Sequence, residues 1–388
     1  MKTIFTGLPF KLIVGLGIGI VLGLWANEAF MQVIITLQRL AGQVIMYVVP
    51  LIIIGFIAPS ITKLGLNASK MLGIALGIAY ISSVGAALFS TAAGYSIIPH
   101  LNIAASAEGN RELPKVIFDL GIPQIMSVMS ALVFAILVGL AAVWTNARKI
   151  IAAFDEFQNI VIAIVVKVII PILPFFIGFT FATLAYEGSL THQLPVFLVV
   201  ILIVIVGHFI WMALLYGLAG VYSGKNPFRV LKHYAPAYIT AIGTMSSAAT
   251  LPVALSCARK SDALRPDMVS FGIPLFANIH LCGSVLTETF FVMTVSQVLY
   301  GTLPELSTMV LFCCLLSIFA IAAPGVPGGT VMASLGLIVT VLGFDAAGTA
   351  LMLTIFALQD SFGTACNVTG DGALTLMLSA YQDKHPKQ

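Results

Sequence analysis

The feature that most constrains this 388-residue chain is a succession of long apolar runs, near 8–26, 32–62, 68–98, 118–146, 155–186 and 194–222. A helix needs about 20 apolar residues to cross a bilayer. The runs meet or exceed that length, and several are long enough to require tilt or kinks. Pro50, Pro171 and Pro174 are the candidate kink positions. Only 9% of the residues are charged and 60% are hydrophobic. A soluble domain carries about a quarter charged residues, so this chain cannot cover a water-facing surface. The in/out alternation of barrel strands is absent, which leaves an all-α polytopic membrane protein. The net charge of +3 gives no sign of a nucleic-acid partner. Its surroundings are the lipid bilayer.

The run 8–26 is too long for a signal-peptide core, and no small-residue cleavage site follows it, so it is expected to be the first spanning helix. Lys2, Lys11, Lys63, Lys70, Arg148, Lys149, Lys225, Arg229, Lys232, Lys384 and Lys387 lie at the ends that the positive-inside rule assigns to the cytoplasm. Both termini are therefore expected to be cytoplasmic. The segment 106–115 is balanced, with Arg111 and Lys115 beside Glu108 and Glu112. The five cysteines show no CxxC spacing, so neither a disulfide framework nor a structural zinc site is indicated.

After residue 225 the pattern changes. "GTMSSAATLP" (243–252) and "APGVPGGT" (323–330) are rich in small residues and end in or contain prolines. Neither makes a good spanning helix. Each precedes an apolar segment with a polar interruption, "NIHLCGS" (278–284) and "DSFGTACNVTGDG" (360–372). The unit is thus used twice: a small-residue tip, then a segment expected to break. The two tips should approach from opposite sides, as in an inverted repeat. Irregular backbone at membrane depth is tolerated only around a protein-lined or watery cavity. Paired interruptions of this kind point to a transporter's binding site.

Four ionisable residues lie deep in apolar segments: Lys167, Glu288, Asp360 and Asp371. Such residues are functional candidates by default, because a charge at mid-bilayer is costly. Lys167 can snorkel on its long stem. Short aspartates cannot.

"SSAATLPV", "PGVPGG" and "NVTGDG" resemble the signature segments of the glutamate transporter homologues, the dicarboxylate/amino acid:cation symporters. The resemblance is strong from about 225 to 382 and collinear before it. It implies a homotrimer whose protomer has eight spanning helices and two re-entrant hairpins, with a scaffold and an elevator-like transport domain. It divides the chain into scaffold helices 1–2 (1–67), transport-domain helix 3 (68–100), scaffold helices 4–5 (101–190) and the remaining transport domain (191–388).

Carried over by position, the resemblance places Ser246, Ser247, Ser284, Gly325, Val326, Asp360, Gly363, Thr364 and Asn367 at the substrate. Asn367 would meet its α-carboxylate and Asp360 its α-ammonium. Asp371 and the Asn367 carbonyl become candidate sodium ligands; no organic cofactor is implied. Broken helices free their carbonyls, and hard cations take oxygen.

Two departures matter. Acidic-substrate members carry an arginine at the position of Gly363, and Met245 supplies none in the first tip. A substrate side-chain carboxylate would lack its bidentate partner. A neutral amino acid is therefore expected, with Gly363 leaving volume for a larger side chain. The family's Asn-Met-Asp-Gly-Thr is here His280, Leu281, Cys282, Gly283 and Ser284. Ser82 and Ser83 match a helix-three pair that helps bind sodium, but the two main ligands are missing, so that cation site is expected to be lost. Glu288 occupies the position where proton-coupled relatives carry an acid. On a continuous helix, His280, Ser284 and Glu288 would share one face. His280 is either a coupling residue or a core histidine bonded to a backbone carbonyl, and Cys282 is a space-filling residue. An intramembrane enzyme lacks a nucleophile motif here, and a channel would not need two gating tips. The expectation is a symporter driven by protons, sodium or both, in a cell membrane of the bacterial inner-membrane type.

Overall fold

The computed structural model describes residues 8–66, 70–101, 111–188, 190–323 and 325–385. Lys2, Glu108, Pro324 and Lys387 lie outside the described residues. Every element among the described residues is helical. They are α1 (Leu8–Trp25), α2 (Glu28–Leu66), α3 (Lys70–Ile97), α4 (Val128–Trp144), α5 (Arg148–Ile164), α6 (Ile170–Glu187), α7 (Leu190–Ser223), α8 (Phe228–Leu231), α9 (Ala235–Thr244), α10 (Ser247–Ala258), α11 (Pro266–Ile279), α12 (Cys282–Tyr300), α13 (Leu306–Ala322), α14 (Gly329–Thr340) and α15 (Ala346–Lys384). By length and composition, five helical stretches among these residues could cross a membrane: Glu28–Pro59, Lys70–His100, Arg148–Glu187, Leu194–Ser223 and Pro266–Tyr300.

α1 lies along α6 with almost no side chain between them. A Cβ on Gly15, Gly19 or Gly23 would collide with the carbonyl oxygens of Pro174, Gly178 and Ala182. Such close backbone approach is how helices gain contact where lipid offers no hydrophobic drive. A π-helical turn, Val165–Ile169, joins α5 to α6 just before Pro171. Proline has no N–H to give and crowds the carbonyl four residues back, so widening the turn relieves both. Lys167 sits in that turn and is exposed, as a snorkelling lysine would be.

The run near 118–146 was expected to be helical throughout. The helix begins only at Val128, capped by the Ser127 hydroxyl, which accepts from Ser130 N–H. Residues 111–121 instead form an extended strap across α2. Ile117 N–H donates to Thr36 Oγ1 at 2.9 Å, and Arg39 Nε donates to Asp119 Oδ2 at 2.6 Å. Gly121, at φ +58°, and Pro123 turn the chain before the helix can start.

The C-terminal half contains two helical hairpins. α9 turns into α10 at Met245, which is left-handed at φ +51°. α13 turns into α14 through the tip that ends at Gly328, φ +71°. α12 and α15 pack against each other, and α15 also packs on α7, α9 and α11. α12 is buried along almost its whole length. Two apolar clusters flank this pair. One runs from α2 and α6 through α12 to α14. The other lies under α7, α9, α10 and α11.

The interruption expected at 278–284 is present: α11 ends at Ile279 and α12 starts at Cys282, with His280 and Leu281 non-helical between them. The interruption expected at 360–372 is not. α15 runs unbroken from Ala346 to Lys384. Its glycines serve close packing instead. A Cβ on Gly370 would lie 2.9 Å from His280 Cε1, and one on Gly372 would lie 2.6 Å from the Tyr216 hydroxyl. A segment of glycine and small polar residues without proline can stay helical when neighbours press on it from every side.

Candidate functional site

The two hairpin tips meet each other. Ser246 Oγ donates to the Gly325 carbonyl at 2.6 Å, and Ala248 N–H donates to the same oxygen at 3.3 Å. Ser246 Oγ also accepts from Ala249 N–H, which caps α10. Ser246 and Ser247 are both buried. Val326 is half-buried beside Gly325.

Asp360 is buried on α15 and faces the second tip. Its Oδ2 accepts from Gly328 N–H at 2.7 Å, and Thr364, also buried, lies one turn further along the same helix. Asn367 lies two turns beyond Asp360. Its Oδ1 accepts from Gly283 N–H at 2.7 Å and Ser284 N–H at 3.2 Å, while its Nδ2 donates to Ser284 Oγ at 2.9 Å. The amide therefore satisfies the free donors where α12 begins. Gly363 sits between these residues. A Cβ there would rest 3.4 Å from the Ser284 backbone, an ordinary van der Waals contact. The volume expected at Gly363 is thus covered by the start of α12.

His280 and Glu288 do not line one polar path. His280 lies outside α12, so the i, i+4, i+8 relation does not apply. Its Nδ1 is 3.0 Å from Asp371 Oδ1, and its Nε2 is 2.9 Å from Ser82 Oγ. The ring is fully buried and is bonded to side chains rather than to a backbone carbonyl. Glu288, also fully buried, accepts a short hydrogen bond from Ser334 Oγ on α14. Its Oε2 has no partner among the described residues. The polar groups thus form two separate sets. One joins α3, the α11–α12 break and α15; the other joins α12 to the second hairpin.

Cys282 is fully buried where α12 begins. His208 on α7 escaped the sequence reading altogether. Its Nε2 lies 3.0 Å from the Gly283 carbonyl and 2.9 Å from Thr287 Oγ1, so it braces the first turn of α12 from α7. One signal was available: a lone histidine in the apolar run 194–222, where only pairing makes a polar ring tolerable.

The donor set does not suit sodium well. Leu281 and Cys282 offer no oxygen side chain at the break, and one Asp371 oxygen already faces an imidazole nitrogen. The Asn367 carbonyl, expected to be freed, belongs to an unbroken helix.

A profile of the sodium:dicarboxylate symporter family matches residues 8–381. The chain belongs to this family. Among curated relatives, the mouse neutral amino acid transporter B(0) is 27% identical over 266 residues, 67% of this chain and 47% of the relative. The mouse excitatory amino acid transporter 2 is 28% identical over 225 residues, 56% of this chain and 38% of the relative. A putative sodium-dependent excitatory amino acid transporter of Caenorhabditis elegans, glt-4, is 27% identical over 192 residues, 49% and 38%. The aligned part spans less than half the length of each of these relatives. Transporters named for neutral and for excitatory amino acids thus both occur among the relatives. The family is one of transporters, not of enzymes.

Proposed function

We propose that this protein is a secondary active symporter that takes up a neutral amino acid, coupled to protons, sodium or both. One observation carries the choice of substrate. From Pro266 to Asp383, which includes the break, the second tip and the whole polar face of α15, the chain has no lysine or arginine. The hairpin α9–α10 has none either. A substrate side-chain carboxylate brought into this buried region would have no guanidinium to meet it, and an unpaired buried charge is strongly unfavourable. Asp360 offers a carboxylate to an α-ammonium, and Asn367 with the Ser246–Ser247 tip offers donors to an α-carboxylate.

The elevator division is part of the same reading. Residues 1–67 and 101–190 would form the scaffold, and 68–100 with 191–388 the moving unit. The close seam of α1 and α6 within the first set, and of α12 and α15 within the second, supports that grouping. Assembly as a homotrimer, a bacterial inner-membrane location and cytoplasmic termini complete it. Glu288, with its unpartnered oxygen beside the second hairpin, is the proposed proton carrier.

Uptake by proteoliposomes of labelled serine, alanine and larger neutral amino acids, with aspartate as competitor, tests the substrate. Separately imposed sodium and proton gradients test the coupling. Stronger uptake of aspartate than of neutral amino acids would assign the protein to the dicarboxylate side of its family.

A further inference from the structure

We propose that Asp371 holds no sodium ion in this protein, because the His280 side chain fills the place a cation would take. The functional meaning rests on the symporter reading above; the structural statement does not. The family is named for sodium, and Asp371 is the kind of group that would bind it: a fully buried carboxylate on the long helix α15. Hard cations are held by several oxygens at once. At Asp371 the oxygens are not assembled.

Three features remove them. His280 Nδ1 stands 3.0 Å from Asp371 Oδ1. An N–H pointing at an oxygen repels a cation that would share the same lone pairs. The ring is also clamped. Ser82 Oγ holds Nε2 at 2.9 Å, Phe276 meets the ring edge-on with centroids 6.5 Å apart, and Gly370 lies flush against Cε1. A single neutral tautomer satisfies both bonds, with Nδ1–H donating to the carboxylate and Nε2 accepting from Ser82. The arrangement therefore requires no change of protonation.

The second feature is the continuous helix. α15 is not interrupted, so the carbonyls near Asn367 and Asp371 remain in the helical ladder. The Thr369 carbonyl additionally accepts from the Tyr216 hydroxyl at 2.8 Å. The third is the break itself, where Leu281 and Cys282 bring a hydrocarbon and a thiol. Among the described residues, Asp371 Oδ2 has no hydrogen-bond partner, and neither do the Ser83 and Thr369 hydroxyls, each of which brings a single oxygen. One carboxylate oxygen is no cage for a hard cation; an ordered water would satisfy it. The consequence is that α3, the break and α15 are tied together by covalently anchored groups, where an ion would tie them only when bound.

The test is sodium-specific stabilisation of the purified full chain. A ligand that binds only the folded form raises the melting temperature. Wild type, Asp371→Asn, His280→Asn and the double variant are compared in sodium chloride and in choline chloride at equal ionic strength. Wild type is expected to show no sodium-specific rise that Asp371→Asn removes. His280→Asn replaces the ring with an oxygen donor. It is expected to gain a sodium-specific rise of a few degrees, which the double variant loses. Should His280→Asn not fold, His280→Gln makes the same exchange with a longer reach. An Asp371-dependent sodium shift in wild type overturns the proposal. So does the lack of any gain in the histidine variants. The measurement involves no transport, so its failure is distinct from failure of the uptake assay.

Discussion

Ser246 and Gly325 join the two hairpin tips through one hydrogen bond, 2.6 Å from hydroxyl to carbonyl oxygen. The same hydroxyl caps α10. One side chain thus both finishes a helix and latches it to the opposite hairpin.

Ser246→Ala should lose both roles. The cap alone is worth about 1 kcal/mol. Hydrogen exchange at residues 246–250 should accelerate by at least the roughly fivefold that such a loss implies, while α12 stays protected. Ser246→Thr should retain the slow exchange. Equal protection in the alanine variant would mean the tips are held by other contacts.

Asn367 is expected to be intolerant of change. Asn367→Ala leaves the Gly283 and Ser284 donors buried without partners, at about 1–3 kcal/mol for each group. The melting temperature should fall and substrate uptake should vanish. Asn367→Asp keeps the acceptor, and the Ser284 hydroxyl can turn to donate to the second carboxylate oxygen. It should be the milder variant in stability. A stable alanine variant would show that α12 does not rely on this amide.

Gly19→Ala places a methyl against the Gly178 carbonyl. Overpacking of this kind costs about 1–3 kcal/mol, and here the obstacle is backbone, which cannot rotate aside. The yield of folded protein should drop. Gly17→Ala, one residue pair away with open space around it, should behave as wild type. Similar yields of the two variants would mean that α1 and α6 can part.

Glu288→Gln preserves an acceptor for Ser334 but cannot exchange a proton. Uptake by this variant should no longer respond to an imposed proton gradient, while the melting temperature stays near that of wild type. A full response to the gradient would remove Glu288 from the coupling path.

Asp119 gives a pH prediction outside the spanning segments. The Gly121 N–H, then Gln43 and Arg39, hold its carboxyl at about 2. A carboxyl lowered on folding stabilises above its unfolded value and loses that contribution as pH falls through the folded one. The strap over α2 should therefore stay closed from neutrality down to about pH 4 and loosen only near pH 2. Asp119→Asn should open it at neutral pH, seen as faster proteolysis within 111–121. Resistance equal to wild type would mean that Ile117 and Thr36 hold the strap unaided.

The parts of this molecule that were legible in its sequence are those governed by composition along one segment. Apolar length marked the helices from α1 to α7 apart from the start of α4, and small-residue runs marked both tips. The break at His280 was legible because "NIHLCGS" interrupts an apolar run. The same logic failed at 360–372, where polar and glycine residues stay helical because neighbours pack on them. That outcome depends on Tyr216, Tyr234 and His280, which are remote in sequence. Pairings were equally hidden. Helical periodicity put His280 with Glu288, yet His280 meets Ser82 and Asp371, 198 and 91 residues away. Gly363 read as empty space because its neighbour, the start of α12, lies about eighty positions upstream.

The bond from Gly328 N–H to Asp360 has a consequence for how such a molecule idles. If Asp360 is the ammonium site proposed above, a ligand would find that carboxylate already engaged by the backbone of the second tip. Arrival of the ligand is then an exchange of donors on one oxygen, and departure returns the original donor. On that reading the backbone donor imitates the cargo, and a guest would enter by displacing the imitation.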